Sequence, residues 1–306
     1  MSEQLNLFQP AEHPMATEDV LPAVAAEVGA LDELFRSNPR WRGRQDFFDL
    51  LRFVACFPQY SPFNGFLIFL QRPDATRVAT ARAWWQTCRR RPRPGARPIL
   101  ILAPMAPVIF LFDLKDTEGD PVPVAPLRAA AVTRDRLPAR VLEHTLHNCE
   151  IQRIAVREPQ ALDPAAERAI RVTAAVRKAH AGHNLEAAHR YLILTDPGLP
   201  PEKKYGSLAL ELSRIFGGHL GADGDAWWPD RPDTDVEQAA IEAEAAAFLV
   251  CRRKGLEQLS ERMAAAAAGE ARDLPPLSLQ AVFQAAGYIE TMGKQLWRRP
   301  PKKGRP

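Results

Sequence analysis

Cysteine is scarce in this chain: Cys56, Cys88, Cys149 and Cys251 are the only four in 306 residues, and no two form a C-x-x-C pair. That spacing argues against a disulfide framework and for a reducing, cytoplasmic setting. The sequence does not open with a basic start and an apolar core, so no signal peptide is expected. Long apolar runs are missing too. The longest, residues 99–114, is interrupted by Pro104 and Pro107 and is too short to span a bilayer, so no membrane partner is expected. Net charge is also slight, at +3, and only the local distribution of charge can speak to partners. Internal repeats are absent.

What is present is ordinary for a soluble globular protein, with 46% hydrophobic and 25% charged residues. At about 100–200 residues per domain, the length predicts two domains. A polar, proline-containing leader covers residues 1–26, a first domain 27–120, a proline-rich connector 121–138, a second domain 139–292 and a basic tail 293–306. The expected fold class is α+β. Leu31, Leu34 and Phe35, then Phe47, Leu50, Leu51 and Val54, recur at helical spacing. Ser61-Pro62 marks a helix start that must end before Pro73. Val78, Ala81, Trp85 and Cys88 predict a short helix, and two apolar runs around residues 104–107 predict a β-hairpin. Further on, the pattern predicts a helix near 141–146, strands at 151–156 and 190–195, and a helix from Pro200-Pro201 to Gly217-Gly218. A last clear helix opens with a capping box, Thr234-x-x-Glu237, and buries Val236, Ala240, Ala243, Ala247 and Val250.

Trp84-Trp85 followed by Arg89, Arg90, Arg91 and Arg93, with Arg82 and Arg97 nearby, is the strongest nucleic-acid signal. Single-strand binders combine a cationic track with exposed rings on which bases stack, at about 1–3 kcal/mol per base. Trp85 falls on the apolar stripe, so Trp84 is the ring expected to be exposed. Binding of this kind depends on salt and is nearly blind to sequence. A structural reading competes, in which the arginines are a solvated turn. Gln4-Leu5-x-Leu7-Phe8 in the leader has the form of the short peptide by which bacterial replication proteins dock on the sliding clamp. It offers apolar anchors and a polar handle on an extended segment.

The run Tyr60-Ser61-x-x-Asn64, Leu67-Ile68, Gln71-x-Pro73, Ala75-Thr76, Trp85, Pro94-Gly95, Phe112-Asp113 and Thr117-x-Gly119 resembles the N-terminal single-stranded-DNA-binding domain of ArdC-like antirestriction proteins. The resemblance implies single-stranded DNA as partner and adds Tyr60 and Asn64 to the expected contact residues. Residues 207–220 resemble the active-site helix of ImmA/IrrE-type zincin peptidases, with Leu199-Pro200-Pro201, Gly218-His219 and Glu242 to Ala245 matching around it. In a working H-E-x-x-H helix two imidazoles at i and i+4 bind zinc and the Glu is general base. Here those positions hold Leu210 and Arg214, and only Glu211 is kept. The family's third ligand falls on Glu244. Leu offers no lone pair, and an Arg cation about 4 Å from a divalent metal is repelled by roughly 8 kcal/mol at an effective dielectric near 20. Structural zinc sites bind with about 10–16 kcal/mol, so two lost ligands plus that repulsion should abolish binding. No zinc and no other cofactor are expected, and Arg214 is expected to pair with Glu244 in the old metal site.

Other clusters are weaker. His144, His147 and Cys149, with Glu143 and Glu150, have metal-like spacing but no partner cluster. His180, His183 and His189 read as loop residues, and His219 with Glu244 and Glu211 makes a poor zinc site. The residues and the two resemblances together predict a non-catalytic, cytoplasmic single-stranded-DNA-binding protein with a pseudopeptidase half; an antirestriction or replication setting on a mobile element is what the resemblance implies and follows from no residue. The alternatives are a zinc peptidase cleaving a regulatory protein and a sliding-clamp adaptor.

Overall fold

The computed structural model describes residues 32–33, 43–103, 108–122, 135–158, 168–180, 182, 184–268 and 274–298. The leader peptide with Gln4, Leu5, Leu7 and Phe8, the hairpin tip, His183 and the end of the basic tail lie outside the described residues.

The first half begins with two helices, α1 (Arg44–Ala55) and α2 (Pro62–Gln71). The Ser61 hydroxyl accepts from the backbone N–H of Asn64, Pro62 occupies the first turn where no N–H is needed, and the helix stops at Arg72. The chain then forms β1 (Val78–Ala79), α3 (Ala81–Cys88), β2 (Arg90–Pro92), β3 (Ile99–Ile101), β4 (Ile109–Asp113) and β5 (Thr117–Gly119). β3 and β4 are the expected hairpin, antiparallel with Ile99 opposite Leu111 and Leu100 opposite Phe110. β1 joins on the other side of β4, and β2 pairs with β5 in a separate ribbon. Val78 pairs with Asp113 as a strand residue, so the short helix starts three residues later than the apolar spacing implied.

The second half runs α4 (Ala139–Ile151), β6 (Ile154–Arg157), β7 (Arg168–Arg171), α5 (Ala174–Ala179), β8 (Tyr191–Leu194), α6 (Pro201–Phe216), α7 (Val236–Arg253), α8 (Glu257–Ala268) and α9 (Leu279–Met292). β8 is the centre of a three-stranded sheet, parallel to β6 and antiparallel to β7. Leu208, Leu212, Ile215 and Phe216 form the buried stripe of α6, as their spacing predicts. α7 departs from expectation at its start. Asp235 is the N-cap, accepting from the N–H groups of Glu237 and Gln238, while the Thr234 hydroxyl turns back to the Arg231 carbonyl. Val236, expected inside, is 84% exposed because it sits in the first turn, ahead of the packed segment.

The protein is mixed α+β with small sheets. Its main apolar cluster runs across the expected boundary: Phe47, Leu51 and Phe66 of α1 and α2 share it with Leu212 of α6, Phe248 of α7 and Phe283 of α9. Phe48 meets Phe248 edge to face at 5.6 Å, and Phe66 lies 5.5 Å from Phe283. Each buried ring contributes about 1.5–3 kcal/mol of transfer free energy. The Arg253–Glu290 ion pair adds to this seam, with side chains 2% and 7% exposed. Arg253 also donates to the carbonyls of Val54, Phe57 and Tyr60, closing the C-terminal end of α1. A smaller cluster, with Ile68, Val78, Ile99, Ile101 and Leu111, lies under the β1–β4–β3 sheet. Among the described residues no helix is long and apolar enough to cross a membrane.

Candidate functional site

The arginine-rich segment is built on α3 and β2. The Thr80 hydroxyl caps α3 by accepting from Ala83 N–H, and Arg89 ends it in the left-handed conformation at φ 52°. This phase turns Trp84 inward, reversing the expectation. Trp84 is 2% exposed and its Nε1–H donates to the Phe112 carbonyl at 2.8 Å, whereas Trp85 is 40% exposed. The Arg91 guanidinium lies over the Trp85 ring at 4.2 Å from its centroid and that of Arg89 at 5.3 Å.

The arginines divide into two sets. Arg90 is a structural clamp: it donates to the Thr117 hydroxyl and to the carbonyls of Thr117, Gly119 and Asp120, holding β5 against β2. Gly119 is required there, since at φ 135° a Cβ would come within 2.5 Å of the Arg89 carbonyl oxygen. Arg82, Arg89, Arg91, Arg93 and Arg97 are exposed, and no salt bridge forms on them among the described residues. Residues 77–112 hold seven arginines and no Asp or Glu, while across the ribbon Glu118 stands opposite Arg91.

Two expected contact residues are internal. The Tyr60 hydroxyl donates to the Val78 carbonyl at 3.3 Å, and burial raises its pKa. The Asn64 side-chain amide both donates to the Leu102 carbonyl at 2.9 Å and accepts from its N–H at 3.0 Å. Gln71, two turns along the helix, does the same for Leu100. Asp113, fully buried, accepts from the N–H groups of Thr76, Arg77 and Lys115. Tyr60, Asn64, Gln71 and Asp113 thus build the sheet and its turns, Trp85 stays exposed, and the exposed arginines stand outside the run of residues that carried the resemblance.

In the second half α6 carries the positions that matched zinc ligands. Leu210 is half-buried against the main cluster. Glu211 is 3% exposed and its carboxylate accepts from the Ala169 N–H, anchoring β7. Arg214 lies 3.5 Å from Glu211, its neighbour one turn back, so the expected bridge to Glu244 is replaced by a pair within α6. Glu244 is half-buried on α7.

The carboxylate at the centre of this region is Glu242, which in the sequence stood only as a position matching the resemblance, with no role of its own. Its side chain is 1% exposed, and it takes charge-assisted hydrogen bonds from Arg231 on both oxygens, from Gln238, from the Ser278 N–H and from His219 Nε2 at 2.9 Å. Burial works to raise its pKa, but the bonds from His219 and Arg231 prevail and lower it to about 2. His219, which with Glu244 and Glu211 made only a poor zinc site in the sequence, reaches Glu242 because Gly218 turns the chain sharply at φ 81°, where a Cβ would meet the Pro229 carbonyl at 2.1 Å. The signal was present: at helical spacing Glu242 shares a stripe with Ala245 and Leu249, both fully buried, and a carboxylate there demands partners. A cavity of about 390 Å³ opens beside this network, lined by Asp32, Arg231, Gln238, Leu277, Ser278 and Gln280 among others.

The other histidines separate. His147 meets the Trp297 carbonyl, His189 is buried against Glu150 at 2.8 Å, and burial pushes the Cys149 thiol well up. Among the described residues no group of three His, Cys, Asp or Glu is placed to hold a metal ion. Comparisons with protein-family models, with curated proteins and with solved structures give no match for this chain.

Proposed function

We propose that the chain is a non-catalytic single-stranded-DNA-binding protein, with α3, β2 and the turn after them as the contact surface and the second half as a scaffold. The observation that carries this reading is the exposed Trp85 ring flanked by guanidinium groups that form no salt bridge among the described residues, on a stretch of sequence without an acid. Arg91 over the ring is no obstacle. An exposed cation–π contact is worth about 0.5–1 kcal/mol and base stacking about 1–3 kcal/mol, so a base can displace the guanidinium toward a phosphate. The resemblance to the ArdC-like domain points the same way. The non-catalytic part rests on Leu210 and Arg214 at the ligand positions and on Glu211 being engaged with β7.

Fluorescence anisotropy of the full chain with a labelled oligo-dT tests the first part. Affinity should fall linearly in log–log form with added salt, and Arg89→Ala with Arg91→Ala should flatten that slope by up to about 1.4, at roughly 0.7 per phosphate contact. Absence of binding at low salt would refute it. Metal analysis of the purified protein tests the second part: substoichiometric zinc is expected, and one tightly held zinc per chain would favour the peptidase instead.

A further inference from the structure

We infer that the outer face of the β3–β4 hairpin is a second, base-stacking part of the same interface, so that one unpaired DNA strand engages Phe110 as well as Trp85. This rests on the DNA-binding reading above. Leu100, Leu102, Val108 and Phe110 are all exposed, Phe110 at 53%, while their alternates Ile99, Ile101 and Leu111 are buried. Leu100 stands directly opposite Phe110, so strand alternation puts the apolar side chains on one face of the ribbon. A patch of this kind on a short hairpin calls for an occupant.

Two observations select the occupant. The free edge of β3 is closed, because the amides of Asn64 and Gln71 take up the outward N–H and C=O of Leu102 and Leu100. A peptide therefore cannot add there as a further strand, and the face remains, not the edge. The stretch that leads into the hairpin is cationic in sequence, with seven arginines and no acid over residues 77–112, although Glu118 stands opposite Arg91 in the β2–β5 ribbon. Flat apolar groups on a polyanion match both properties, and single-stranded DNA presents them, whereas a duplex keeps its bases inside the stack. Continuity follows from β4. Phe112 hands its carbonyl to Trp84 beside Trp85, and Phe110 lies roughly 7 Å further along the same strand.

The test uses the full chain with oligo-dT and with a duplex of equal length, both by anisotropy. Phe110→Ala should weaken oligo-dT binding about tenfold with the salt slope unchanged, since no phosphate contact is lost. Phe110→Trp should restore it, and duplex binding should stay the same in both variants. If wild-type protein binds oligo-dT and Phe110→Ala binds within twofold, the inference falls while the Trp85 interface stands. Equal weakening toward the duplex would also overturn it, as would a change of oligomeric state in Phe110→Ala by sedimentation, which would assign the face to a second copy. If the wild type does not bind oligo-dT at low salt, both readings fall together.

Discussion

Asn64 and Leu102 exchange two hydrogen bonds, one side-chain amide imitating the strand that β3 lacks on its open side. Gln71 repeats the arrangement at Leu100. Edge strands invite pairing with other chains, and here a helix seals the edge with two amides seven residues apart.

Replacing both amides tests this seal. Each exposed hydrogen bond contributes about 0.5–1.5 kcal/mol net, and water partly replaces what is lost. Asn64→Ala with Gln71→Ala should lower stability by about 1–3 kcal/mol in urea unfolding and raise self-association by sedimentation velocity. Asn64→Ala alone should leave oligo-dT affinity unchanged, in contrast to the contact role that the sequence suggested.

The Arg253–Glu290 pair predicts a larger effect. Glu290→Ala leaves a guanidinium with only carbonyl partners at a site 2% exposed, and breaking a buried pair on one side costs about 3–5 kcal/mol. Chemical denaturation should show this loss. Because Arg253 ties α7 to the end of α1, proteolysis of the native protein should also become faster near residues 56–60.

Much of the framework was legible. Ser61-Pro62, the paired apolar runs of the hairpin and the Leu208–Phe216 stripe each carry a local cause: a cap, an alternation, a helical period. What was not legible depends on phase or on distance. Counting Val78 into the helix shifted the stripe by enough to exchange Trp84 and Trp85, because two turns are too few to correct a wrong first member. Arg253 stands in the last turn of α7, where any cation suits the helix dipole, and its partner lies 37 residues away on α9. Glu242 has one partner at helical spacing, Gln238, but its bonds from residues 219, 231 and 278 are ones no local pattern links.

Glu242 makes stability depend on acid. Its folded pKa of about 2 lies below the ordinary 4.5, so its contribution is fully present above pH 4.5 and is lost as the pH falls toward 2. The depression corresponds to a contribution on the order of 3 kcal/mol at neutral pH. In wild type the unfolding free energy should therefore drop steeply between pH 4.5 and 2. In Glu242→Gln the overall stability should be lower and that part of the drop absent, measured by urea titrations across the range.

The two adjacent tryptophans separate folding from binding. Trp84 is buried and its indole N–H holds the Phe112 carbonyl, so Trp84→Phe loses a hydrogen bond and some volume, at about 1–3 kcal/mol. Trp85 contributes only an exposed ring and cation–π contacts, so Trp85→Ala should shift stability by about 1 kcal/mol or less. Binding should follow the opposite order. Trp85→Ala should weaken oligo-dT about tenfold, and Trp84→Phe should leave affinity unchanged at temperatures where it remains folded. Thermal melts paired with anisotropy on the two variants would decide it. If Trp84→Phe lost affinity while Trp85→Ala kept it, the ring that meets the nucleic acid would not be the one left on the surface.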